Sequence, residues 1–76
     1  MAGITPISWK KFEKVLLFVG CTFKRQKGDH RIYNRSDLKR PIVIPTDLAL
    51  PVFIIRNNLR LLGILPEEYL KILQRV

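Results

Sequence analysis

Between Ser8 and Gly20 the apolar residues Trp9, Phe12, Val15, Leu16 and Val19 recur every third or fourth position. That spacing predicts an amphipathic helix, with Ser8 as its N-cap and Gly20 closing its C-terminal end. Lys10, Lys11 and Lys14 fall on or near the opposite face. The aromatic residues of this stripe read as core rather than as stacking platforms. Past Gly20 the helical period gives way to alternation. "CTFKRQ" predicts a short strand, "KGD" a tight turn in which Gly28 tolerates positive φ, and "HRIYN" the returning strand. "RSDLKR" reads as a second turn. "PIVIP" is a third strand, β-branched and bounded by prolines, which favours the edge of a sheet. Helical spacing then returns in Val52, Ile55, Leu59 and Leu62, with Pro51 in the first turn and Gly63 at the end. "PEEYLKILQRV" closes the chain as a helix, with Pro66 in its first turn and Glu67 and Glu68 at the positive end of its dipole. The order α-β-β-β-α-α predicts an α+β fold in which helices cover one face of a three-stranded antiparallel sheet. Residues 1–76 read as a single domain.

Alternation puts His30, Ile32 and Asn34 on one face of the second strand and Arg31 and Tyr33 on the other. The pattern does not name the inner face. Either Tyr33 enters the core and leaves His30 outward, or Ile32 enters and draws His30 toward the helices. The charge of Arg31 complicates the first arrangement unless a strand-end position lets it reach solvent.

Composition narrows the function classes. In 76 residues an apolar fraction of 47% argues against disorder. The single cysteine, Cys21, excludes an intramolecular disulfide and a cysteine-based zinc site, and reads as a small buried hydrophobe in a reducing cytoplasm. The chain carries no recognisable targeting signal, and its longest nearly apolar run falls far short of the roughly 20 residues of a membrane span, so no membrane partner is expected. The net charge of +8 is the strongest bulk signal. Seven of the fourteen Lys and Arg residues lie between Lys24 and Arg40, opposed there only by Asp29 and Asp37. Such a cluster suits phosphate contacts on nucleic acid, or else an acidic protein partner.

The chain has no phosphate-binding glycine loop of recognised spacing, no HExxH, no serine nucleophile with a paired base and no carboxylate cluster, so neither a metal nor a cofactor is expected. One imidazole and many cations remain. RNA cleavage fits that inventory, because RNA supplies its own nucleophile in the 2′-hydroxyl. The enzyme need only move a proton, which imidazole does near neutrality, and stabilise charge on the phosphorane, which Lys and Arg do. Taken alone, a histidine beside a turn is as readily structural or merely exposed.

The segment "RQKGDHRIYN" resembles the glycine–Ser/Thr–histidine signature region of the HicA (YcfA-like) mRNA interferase toxins of type II toxin–antitoxin systems. The resemblance covers most of the chain. "FVGCTFKRQKGDH" is similar to the end of the family's first helix, its first strand and its glycine turn, and "PIVIP" to its third strand. "LPVFIIRNNLRLLGI" is similar to the helix that follows, and "LPEEYLKIL" to the extra C-terminal helix of longer members. The resemblance implies a double-stranded-RNA-binding-like α-β-β-β-α fold with an added helix, and a metal-independent endoribonuclease acting on mRNA. It implies that His30 is catalytic and that Gly28 forms the turn. Lys24, Lys27, Gly28 and Arg31 are the expected RNA contacts, with Arg25, Arg35, Lys39 and Arg40 as further backbone contacts. It also implies a HicB-like antitoxin partner, for which Phe53, Arg56 and Arg60 are the expected contacts. The third helix either completes the core or adds to that antitoxin surface. Asp29 stands where the family has Ser or Thr, and a carboxylate there repels the scissile phosphate unless it points away or orients the imidazole.

Two other readings compete. A non-catalytic double-stranded-RNA-binding module would use the same fold and basic cluster. An interaction protein would present its basic face to an acidic partner and bind RNA negligibly. A DNA-reading role for Arg56, Asn57 and Arg60 is less attractive, because the segment before that helix makes no convincing helix-turn-helix.

Overall fold

The computed structural model describes residues 3–76. The elements follow the predicted order: α1 (Trp9–Phe18), β1 (Thr22–Lys27), β2 (His30–Asn34), β3 (Ile42–Pro45), α2 (Val52–Leu62) and α3 (Pro66–Leu73). The Ser8 side chain accepts a hydrogen bond from the Lys11 amide at 3.2 Å, giving α1 its N-cap. At the other end Gly20, at φ 96°, lies one residue beyond the cap residue Val19. Its amide donates to the Leu17 carbonyl and the Cys21 amide donates to that of Leu16, the paired bonds of a Schellman motif. This reversal buries Cys21, so β1 begins one residue later than the apolar pattern predicts. Pro51 is the N-cap of α2 rather than a member of its first turn, and Gly63, left-handed at φ 73°, ends that helix.

The sheet is antiparallel in the order β1-β2-β3, with β3 at an edge as its flanking prolines predict. Register decides the question that alternation leaves open. Tyr33 pairs with Phe23 on one side and Ile42 on the other, and Tyr33, Ile42 and Ile44 are fully buried. Their partners in the core are Phe12, Val15 and Leu16 of α1 and Ile55 and Leu59 of α2. Each large apolar side chain withdrawn from water contributes about 1.5–3 kcal/mol, so the face with three of them is the inner one. His30, Ile32 and Asn34 consequently lie on the bare face. Thr22, Arg25 and Lys27 join them from β1, and Val43 and Pro45 from β3. Lys24 is an extra residue on β1, because Phe23 faces Tyr33 and the next paired residue, Arg25, faces Ile32.

The third helix completes the core. Tyr69 is fully buried and its ring meets Phe12 edge-on, with centroids 6.1 Å apart. Leu70, Ile72 and Leu73 pack against the same cluster from partly buried positions. The N-terminal segment closes over the other side through Ile4, which is buried, and a bridge between Ile7 and Leu50.

Candidate active site on the bare sheet face

His30 is the first residue of β2, and the turn before it contains only Gly28 and Asp29, since Lys27 already pairs with His30. Gly28 has φ 62°, and no non-glycine among the described residues has positive φ. Positive φ at the first central position alone is the signature of the II′ hairpin turn, whose hand matches the twist of the flanking strands. Both turn carbonyls are held. Gln26 Nε2 donates to Gly28 O at 3.0 Å, and Thr46 donates to Asp29 O through its amide (2.9 Å) and its hydroxyl (3.2 Å). The turn is thus tied to β1 on one side and to the end of β3 on the other.

The imidazole itself is open, with 55% of its side chain exposed, and its Nδ1 lies 3.0 Å from Asp29 Oδ1. A carboxylate can only accept, so a proton on Nδ1 is the one this contact favours, and it leaves Nε2 facing away from Asp29. Asp29 therefore lies against the ring rather than pointing away from it.

Around His30 the structure brings together some of the expected cations and not others. Lys27 is its partner across the hairpin, Arg25 pairs with Ile32 one step along, and Lys24 is the bulge residue between Phe23 and Arg25. All three are exposed. The ion pairs among the described residues join Asp29 to His30, Glu13 to Arg31 and Asp37 to Arg35, so Lys24, Arg25 and Lys27 keep their charge unpaired.

Arg31 departs from the expectation that it serves beside His30. Alternation turns it to the helical face, where Nη2 and Nε donate to Glu13 Oε2 at 2.8 and 3.2 Å and Nη1 donates to Gln26 Oε1 at 2.9 Å. Its guanidinium stacks over Phe23 at 4.1 Å and Trp9 at 4.8 Å. The Tyr33 hydroxyl also donates to Glu13 Oε2, and burial, reinforced by that carboxylate, pushes the Tyr33 phenol up to about 12. Glu13, Arg31, Gln26 and the Gly28 carbonyl form one chain of hydrogen bonds from α1 to the turn that presents His30. Gln26 and Thr46 are site residues the sequence does not mark, because neither belongs to a motif and both act only once the strands pair.

Arg35 is likewise engaged within the fold. It donates to the carbonyls of Val19 and Leu62, at the ends of α1 and α2, and grips Asp37 through two bonds of 2.6 and 3.0 Å. That guanidinium holds the Asp37 carboxyl below the usual carboxylate range. Burial pushes the Cys21 thiol up, as befits a core residue.

Phe53, Arg56 and Arg60 share the outer stripe of α2, whose inner stripe of Ile55, Leu59 and Leu62 is buried. Phe53 is 63% exposed. Arg56 and Arg60 flank a hollow of about 380 Å³ between α2 and the start of α3, floored by Ile4, Leu59 and Ile64, and Phe53 is not part of its lining. This stripe points away from the sheet and so lies apart from His30. Among the described residues no three His, Cys, Asp or Glu side chains converge in a way that would hold a metal ion. Among the described residues no helix is long and apolar enough to cross a membrane.

A helix-backed, three-stranded meander that presents one imidazole on a basic bare face, at the end of a tight hairpin, defines a small α+β protein whose candidate site lies open on the sheet. Residues 9–64, which span α1 through α2 and include the whole of that hairpin, match the HicA toxin of bacterial toxin–antitoxin systems. The chain belongs to the HicA toxin family, and α3 lies beyond the matched residues. No curated protein matches the chain.

Proposed function

We propose that this toxin is a metal-independent endoribonuclease acting on mRNA, with His30 as its proton-transfer residue. The observation that carries the reading is the exposed imidazole on the bare face, whose Nδ1 lies 3.0 Å from Asp29 Oδ1 and whose opposite nitrogen, Nε2, is turned from that carboxylate. Nε2 takes the proton of a 2′-hydroxyl, the 2′-oxygen attacks the adjacent phosphorus, and the 5′-oxygen leaves with a proton from solvent. The products are a 2′,3′-cyclic phosphate and a free 5′-hydroxyl. Lys27 stands nearest in register to meet the developing negative charge, with Lys24 and Arg25 along the same strand. A single positioned base contributes typically about 10²–10⁴ in rate, so the enzyme is a modest catalyst. Gly28 serves by shaping the turn. Arg31 serves by holding it, since its guanidinium faces Glu13.

The same reading makes the protein cytoplasmic, where mRNA is found, and pairs it with a HicB-like antitoxin. Phe53, Arg56 and Arg60 suit an apolar and acidic partner surface. Because that stripe points away from the sheet, an antitoxin that also silences His30 has to reach the bare face with a second segment.

The exposed Asp29 carboxylate favours one alternative, a non-catalytic RNA-binding module, because it places negative charge beside the phosphate path. One experiment separates the two. Wild type, His30→Ala and Asp29→Ser are incubated with a mixed-sequence RNA in the presence of chelator. Cleavage by wild type and not by His30→Ala, with cyclic phosphate ends, supports the nuclease. RNA bound but uncut by all three supports the binding module.

A further inference from the structure

The bare face does not end at His30. The row containing Lys27 and His30 is one end of the hairpin, and the pair Thr22 and Asn34 is the other. Beyond that pair opens a polar hollow of about 540 Å³, lined by Thr22, Asn34, Ser36, Lys39 and Arg40 together with the Arg35 side chain. We propose that this hollow is a second phosphate-binding site, which holds the RNA strand a few nucleotides away from the bond at His30. The inference rests on the nuclease reading for its substrate.

Three observations carry it. Lys39 and Arg40 are exposed and take part in no ion pair among the described residues. The one carboxylate in their loop, Asp37, is neutralised by the two bonds from Arg35, so the hollow presents net positive charge. Arg35 also ties the loop to the carboxyl ends of α1 and α2, which makes the hollow a fixed feature rather than a loop that must order on binding. The Asn34 and Ser36 side chains are exposed there and add neutral donors of the kind that meet phosphate oxygens.

The spacing suits a strand. His30 and Asn34 are four residues apart on β2, or about 13 Å at the usual strand rise. At about 3.4 Å per stacked nucleotide that is a path of roughly four nucleotides, and fewer for a stretched strand. Ile32 lies between them on the same face, an apolar floor for bases, with Arg25 beside it for the intervening backbone. A single strand laid along β2 therefore meets phosphate ligands at both ends.

The test uses the full chain carrying His30→Ala, so that RNA is not consumed, and a labelled eight-nucleotide single-stranded RNA as probe. Affinity is measured across salt concentration for this protein, for the same protein with Lys39→Ala and Arg40→Ala, and for a charge-matched control with Lys71→Ala in α3 and Arg75→Ala just beyond it. Loss of two phosphate contacts should weaken binding on the order of tenfold at moderate salt and lower the salt slope by about 1.4. The control should change the slope little. Equal effects of the two double variants, or none from either, overturn the second site while leaving cleavage by the wild type to judge the nuclease. Absence of RNA binding by the His30→Ala protein at low salt also overturns it. If the wild type then cuts nothing, the nuclease reading falls as well. Thermal melting of each variant excludes loss of fold as the cause.

Discussion

Glu13 of α1 and Arg31 of β2, eighteen residues apart in the chain, meet on the face of the sheet opposite His30, with Nη2 and Oε2 2.8 Å apart. The Arg31 fork also holds Gln26, and Gln26 holds the turn. Removing the carboxylate with Glu13→Ala leaves a half-buried guanidinium and the Tyr33 hydroxyl without their acceptor. The expected cost is about 1–3 kcal/mol. Each kcal/mol lowers Tm by about 4–8 °C in a domain of this size. Arg31→Lys should recover little, since an ammonium cannot reach Glu13 and Gln26 together. Thermal melts decide it, and an unchanged Tm for Glu13→Ala would show that the network carries no stability.

Asp29 orients the imidazole if its contact with Nδ1 matters more than its repulsion of phosphate. Asp29→Asn keeps a carbonyl acceptor and should retain most of the cleavage rate. Asp29→Ala loses the acceptor and should fall on the order of 10- to 100-fold in kcat, the scale of a misplaced catalytic group. The reverse order, with alanine the faster enzyme, would make the carboxylate purely an obstacle.

Gly28 tests the turn by backbone alone. Nothing lies within 4 Å of the position a Cβ would take, so Gly28→Ala meets no clash, only the penalty of φ 62°. That penalty is about 1–2 kcal/mol. Tm should fall accordingly, and cleavage should fall further than Tm alone accounts for, because His30 follows directly. A melt identical to that of the parent would mean that the hairpin does not need the II′ turn.

The two tyrosines offer a pH readout with a definite sign. Burial pushes both Tyr33 and Tyr69 up to about 12, above the ordinary value of 10. The folded protein then keeps phenolic protons that the unfolded chain releases, so this stability is complete below pH 10 and is lost as pH rises toward 12. Tyrosinate absorbance of the folded protein should appear near pH 12 rather than 10. Titration of either ring near 10 in folded protein would contradict its burial.

The Tyr69 hydroxyl has no hydrogen-bond partner among the described residues although it is buried. Tyr69→Phe should therefore leave Tm unchanged or raise it, whereas Tyr33→Phe, which removes a bond to Glu13, should lower it. Equal losses from both would indicate that Tyr69 has a partner in solution.

The sequence by itself determined the elements and their order, because those depend on interactions within a few residues. Ser8 caps α1 through an amide three positions on, Gly20 and Gly63 end helices where left-handed backbone is needed, and Gly28 turns a two-residue hairpin. It also singled out His30, the only imidazole among many cations. Only the tertiary structure decided which face His30 occupies, since alternation defines two faces and the choice falls to the apolar area that α1 and α2 can cover. The same distant contacts set Arg31, expected as an RNA ligand, against Glu13 on the helical face. They also made Arg35 the brace between two helix ends, drew Thr46 onto the Asp29 carbonyl, and buried Tyr69 so that α3 completes the core. A cation's local sequence shows only that it is charged; what neutralises it, or leaves it free for phosphate, is set by residues that folding brings beside it.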